Sequence, residues 1–222
     1  MDDAQRRQLL KLLLAGSVAY PATSSAFFFG SSKKKDKQIQ HQSGLIKING
    51  EPLQPTSLIK PGDTIETGDE SKLVFKQGKD AYLLRSNTRL ELNNNNGVVS
   101  VLRLISGALL SVFGSGDKQI DTPVATIGIR GTGTYFEVAD NETYLCTCYG
   151  ETQIASTEDP SVSKNIVTQH HEAPHFIRNT AEGSVIEKAP VRNHTDAELI
   201  LLESTVGREP PFVDDYFSED AY

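Results

Sequence analysis

From Gly44 onward the chain alternates apolar and polar positions with a period of two. In the stretch GLIKING, Ile46 and Ile48 fall on one side and Leu45, Lys47 and Asn49 on the other, which is the pattern of a strand with one buried face. Short β-rich runs recur further on, separated by Asn49-Gly50, Pro61-Gly62-Asp63, Gly68-Asp69, Gln77-Gly78 and Asn93–Gly97. Turn signals at such regular spacing predict a sandwich or barrel-like sheet rather than βαβ units. Asn93–Gly97 predicts a hairpin loop, because Asn and Gly tolerate positive φ. After Thr180 the period changes. Thr195 and Glu198 form a capping box ahead of a helix over about 196–206, with Leu199, Leu202 and Val206 on one face. Gly207 ends it, and Glu209-Pro210-Pro211 prevents continuation.

The stretch Thr122–Val138 reads TPVATIGIRGTGTYFEV. Its two β-rich runs, Val124–Ile129 and Thr134–Val138, flank a bend at Gly131-Thr132-Gly133, with Gly128 just ahead. Glycines in such a place suit a bulge or a close backbone approach. Their spacing is neither that of a dinucleotide fingerprint nor that of a P-loop. This stretch resembles the signature of the FecR domain, a bacterial periplasmic module. Similar matches are GLIKING from Gly44, LIKPGDTIET from Leu58, GDESKLVFK from Gly68 and RLISGALLSVF from Arg103, so the resemblance spans roughly Gly44 to Gly150. It implies an all-β domain of sandwich, jelly-roll or β-helix-like form, here with one C-terminal helix. It also implies a role in envelope sensing or assembly through a partner or ligand.

At the front, Arg6 and Arg7 precede an apolar run, Leu9–Tyr20, and small residues follow at Ser24-Ser25-Ala26. That order is the pattern of an export signal, cleaved after Ala26. The paired arginines followed by Gln8-Leu9-Leu10-Lys11 look like a twin-arginine signal, with the Sec route as the alternative. The run is short for a bilayer span, and no Cys follows the cleavage point, so no stable membrane anchor is expected. The expected organisation is a signal peptide at 1–26, a linker at 27–43, a FecR-like β domain at 44–180 and a C-terminal extension at 181–222. The tail from Asp214 is acidic and expected to fray. The location is periplasmic, as in a Gram-negative cell. Sigma regulators of this family carry a cytoplasmic segment and a membrane span before the domain. Here only about seven residues precede the apolar run, which argues against direct sigma-factor contact.

The net charge of −7 becomes −8 once the signal, with three basic and two acidic residues, is removed. Such a balance disfavours nucleic acid, whose phosphates reward Lys and Arg. Lys33-Lys34-Lys35 with Lys37 reads as a solvated linker.

Reactive constellations are few. His171-Glu172-Ala173-Pro174-His175 spells H-E-x-x-H, the helical zinc-protease motif. Pro174 breaks that helix from within, so the protease reading is remote, and no hydrolase triad or nucleophile elbow occurs. No catalytic residue is expected. Cys146 and Cys148 share one face of a strand. Three readings stay open for them: buried core thiols, a metal or redox pair, and a disulfide that would need a local bend, since flat i,i+2 geometry holds the Cβ atoms too far apart. His170, His171, His175 and His194 follow along the chain. Cys146, Cys148 and His171 are the candidate ligands, in a Cys-Cys-His or Cys-Cys-His-His set suited to zinc or copper. The primary reading is a non-enzymatic binding domain. A metal-binding or thiol-redox protein is the alternative.

Overall fold

The computed structural model describes residues 37–95 and 97–213. The signal peptide, its cleavage site and the acidic tail lie outside these residues. Among the described residues, no helix is long and apolar enough to cross a membrane.

The domain beginning at Gln38 is one fourteen-stranded sheet. Its strands are β1 (Ile39–Ser43), β2 (Ile46–Ile48), β3 (Glu51–Pro52), β4 (Thr64–Thr67), β5 (Lys72–Gln77), β6 (Asp80–Leu84) and β7 (Arg89–Asn95). There follow β8 (Val98–Val112), β9 (Asp117–Asp121), β10 (Ala125–Ala139), β11 (Glu142–Ser156), β12 (Ser163–Thr168), β13 (His175–Thr180) and β14 (Gly183–Lys188). A helix, α1 (Asp196–Thr205), comes last. The fold is therefore all-β with one short C-terminal helix, as the alternation predicts. Pairing is antiparallel everywhere except between β8 and β9, so the architecture is a sandwich and not a coil of parallel strands.

Three fifteen-residue strands organise the sheet. Each changes partner midway. β10 pairs with β9 over its first half and β8 over its second. β11 pairs with β13 near its start and β12 near its end. The sheet thus folds over itself, and Phe75, Leu90, Leu104, Ile127, Phe136 and Leu145 meet in a single core. β7 and β8 form a hairpin, as expected, but Asn93, Asn94 and Asn95, read as part of its loop, are paired strand residues of β7.

Two boundaries differ from the sequence reading. β1 lies within the segment read as linker and pairs with β5. Its residues are mostly exposed, so it shows little alternation. Backbone pairing holds it, helped by the Gln38 side chain, which bonds the backbone of Ile59 in both directions at 2.6 and 2.8 Å. At the other end, β14 pairs with β13 and carries the sheet past Thr180 to Lys188.

The Gly131-Thr132-Gly133 bend is a bulge inside β10 rather than a turn between strands. The β10–β11 register runs from Arg130↔Glu151 to Gly133↔Tyr149 and then Thr134↔Thr147. Gly131 and Thr132 together stand opposite the single residue Gly150, and Cys148 is the extra residue on β11. Gly131 has φ +51, in open space. Gly133 is required by a close approach, since a Cβ there would lie 2.4 Å from the Tyr149 ring. Buried Thr132 donates to Glu151 O at 3.0 Å and ties the bulge together. Gly128 sits in regular pairing, with room for a Cβ at 3.8 Å from Gln153.

Candidate metal centre

Every residue from Thr143 to Tyr149 is buried, so β11 is covered on both faces there. Leu145 belongs to the main core. Tyr144, Cys146 and Cys148 alternate with it and face the other way, where the chain after β14 lies over them. Ala189 N donates to Pro174 O at 2.9 Å, and the Tyr144 hydroxyl donates to Pro190 O at 3.0 Å. His194 stacks on Tyr135, the strand neighbour of Cys146, with ring centroids 4.5 Å apart.

Under this cover four side chains converge. Cys146 Sγ lies 3.4 Å from His171 Nδ1. Cys148 Sγ lies 3.4 Å from His194 Nε2, and the two ring nitrogens are 3.0 Å apart. All four atoms fall within 4.8 Å of one another. Bonds of ~2.3 Å to sulfur and ~2.0–2.1 Å to nitrogen place the ligand atoms of tetrahedral zinc about 3.3–3.8 Å apart. The separations of 3.0 and 3.4 Å lie close to that range, and the wider ones, up to 4.8 Å, would close by about 1 Å on ligation.

Local structure explains each arm. The bulge sets Cys148, and its carbonyl accepts His171 N at 2.8 Å, which pins the β12–β13 loop over the thiols. His171 itself takes φ +53 to reach inward. His194 directly precedes Thr195, the N-cap of α1, whose capping box with Glu198 is complete.

The outer nitrogens of both rings are committed. His171 Nε2 meets Asp196 Oδ1 at 2.9 Å, and His194 Nδ1 meets Arg192 O at 2.7 Å. A backbone carbonyl and an ionised carboxylate only accept, so both rings donate outward. Each then turns a lone pair toward the other at 3.0 Å. A proton on one ring, the thiol hydrogens at 3.4 Å or a metal ion can each satisfy these nitrogens. The Asp196–His171 pair is the carboxylate–histidine arrangement common behind metal ligands.

Electrostatics point the same way. Cys146 is drawn down to about 4: the hydrogen bond from Cys148 contributes most, burial opposes it, and His171 and His194 add to it. Cys148 moves well above the ordinary thiol range, first through burial and then through its neighbour Cys146. Burial works against a charge on His171, yet hydrogen bonds and attraction from Cys146 and Asp196 outweigh it and raise its pKa above 6.5. The group therefore holds one thiolate and one thiol beside a histidine that favours its charged form.

Of the candidate ligands, Cys146, Cys148 and His171 are brought together, and His194 joins them as the fourth. His194 stands in the sequence as one histidine among several, and its place before a capping box was the available signal. Asp196, behind His171, carries no sequence signal beyond being an acidic residue in a first helical turn. His170 is displaced outward. It bonds both oxygens of Asp196 at 3.0 Å and stacks on Phe212. His175 opens β13, buried, with Nδ1 at 2.9 Å from Ala173 O. The H-E-x-x-H letters thus span a loop and a strand start, and exposed Glu172 turns back to accept Gln169 N at 3.1 Å. Both cysteines are free thiols.

No family model matches the chain, and no curated protein matches it. Two crystal structures of a protein provisionally described as an anti-sigma factor, from Parabacteroides distasonis, are similar to part of it. Each has a TM-score of 0.46 at 9% identity, covering 56% of this chain and 59% of the other. The chain thus spans about three fifths of that protein's length, and a likeness at this level does not establish a shared function.

Proposed function

We propose that this protein is a non-enzymatic, FecR-like binding domain whose C-terminal part is built around a Cys₂His₂ zinc centre of Cys146, Cys148, His171 and His194. The observation that carries it is the convergence of these four ligand atoms, with the outer nitrogen of each ring already bonded to an acceptor. Two thiolates and two imidazoles in a compact set suit zinc better than harder cations. Protein groups fill all four positions, and the cysteines are fully buried. That leaves no open position for a substrate or an activated water, which is the mark of a structural rather than a catalytic site. A redox pair would want an accessible thiolate, and neither cysteine offers one. The FecR-like motifs support partner or ligand binding in the envelope, and the Arg6-Arg7 segment with its apolar run supports export. In an oxidising compartment, ligation would also keep the two thiols from oxidation.

Elemental analysis of the full chain purified from the periplasmic fraction should find about one zinc per chain. The double change Cys146→Ser, Cys148→Ser should abolish it. Stoichiometric metal surviving that change, or a metal-free wild-type protein after purification with zinc present, would overturn the reading.

A further inference from the structure

The four ligands do not come from one motif. Two lie on β11, one in the β12–β13 loop, and the fourth, His194, lies one residue before the N-cap of α1. Asp196, the first residue of that helix, reaches back to His171. The start of α1 is thus joined to the cluster twice, through a ligand and through the carboxylate behind another ligand. We infer, on the basis of the zinc reading above, that metal occupancy clasps the C-terminal helix to the sheet and that losing the metal frees it.

The rest of the helix is held by groups that do not depend on metal. Leu199, Ile200 and Leu202 are buried. Glu198 pairs with Arg85 at 2.9 Å and with Lys72 at 3.6 Å. Glu203 accepts from the Tyr149 hydroxyl and from Arg208 Nε, the latter at 2.7 Å. These contacts hold α1 on the sheet, and because a ten-residue helix has little stability on its own in water, it stays ordered only while docked. Ordering it also costs backbone entropy at every residue. The clasp contributes at the end where ordering starts, since His194, Thr195 and Asp196 set the first turn. Without a metal, the two rings meet at 3.0 Å and each lies 3.4 Å from one sulfur, so hydrogen bonds alone join the arms. A metal also takes both sulfurs and so closes β11, the loop and the helix start into one unit. Release of α1 uncovers the part of β6 and β8 that it packs against, so metal level becomes a control on which face of the sheet is accessible.

The test is hydrogen exchange on the full exported chain, read peptide by peptide, with zinc and with a chelator. If the helix opens only after metal leaves, zinc at a hundred times its dissociation constant slows exchange in residues 193–206 about a hundredfold. Exchange in β2 and β4, which do not pack against the helix, should change far less. In the double Cys→Ser variant, zinc should leave residues 193–206 unchanged. Zinc that binds one per chain yet leaves exchange in 193–206 unaltered overturns the clasp while the metal centre stands. Slowing that is uniform along the whole chain also overturns it, since the helix would then have no opening of its own. Failure of zinc to bind at all overturns both.

Discussion

The hydrogen bond from His171 to Asp196 fixes the ring so that Nδ1 faces the sulfurs, and this makes Asp196 a positioning residue rather than a ligand. Asp196→Asn should weaken zinc binding about 10- to 100-fold, the usual effect of losing such a partner, without abolishing it. A competition titration against a chromophoric chelator reads this directly, and unchanged affinity would show that the ring is held by other contacts. Glu172→Gln should leave metal content unchanged, since Glu172 is exposed and turned toward Gln169. Loss of metal there would restore the H-E-x-x-H reading. Protonation gives a third check. Metal needs both thiolates and a neutral His171. Cys146 already lies low, at about 4, while Cys148 and His171 are shifted upward. Binding near neutral pH should therefore release protons from Cys148 and, in part, from His171, and affinity should rise with pH until both are deprotonated. Calorimetry in buffers of different ionisation enthalpy measures the proton count. Zero release would contradict the thiol–thiolate pair.

The bulge in β10 shows how a backbone feature reaches the metal centre and the helix. Gly133 leaves room for the Tyr149 ring, and Tyr149 in turn donates to Glu203 of α1. Gly133→Ala should push that ring aside, at a cost on the order of 1–3 kcal/mol typical of overpacking. Gly131→Val should cost ~1–3 kcal/mol through its φ of +51 alone. Gly128→Ala, with 3.8 Å of clearance, should be nearly neutral. Denaturant midpoints would rank the three, and an equal loss at Gly128 would remove the distinction between bulge and regular strand. The glycines, the β7–β8 hairpin and the capping box were all legible in the sequence because each is a local demand of the backbone. The helix was placed to within a residue for the same reason. β1 was not legible, since an exposed edge strand needs no alternation. Burial of Glu198 and Glu203 was hidden too, because their partners Arg85, Lys72 and Tyr149 stand far away in the chain. The Cys/His cluster was half legible. The shared face of Cys146 and Cys148 follows from strand period, whereas choosing His194 over His170 and His175 needs the tertiary fold.

The main core and the Cys/His cluster lie on opposite sides of β11. Leu145 joins the apolar cluster with Phe136, Ile127 and Ile177, while Cys146 and Cys148 stand outside it. On the proposed zinc reading the two parts are separable in stability: the sheet rests on apolar burial, and the cover over Tyr144, Cys146 and Cys148 gains from ligation what its few hydrogen bonds and the Tyr135–His194 stack do not supply. A small zinc finger, by contrast, is unfolded without its metal, because its core is too small to hold alone. Chelation here should leave the β-sheet signal in far-ultraviolet circular dichroism intact and should preserve a cooperative melting transition. The near-ultraviolet tyrosine signal should change, because Tyr135 stacks on His194 and Tyr144 donates to Pro190. Added zinc should reverse that change. If chelation instead removes the far- and near-ultraviolet signals together, the sheet itself depends on the metal and the division of stability across β11 is wrong.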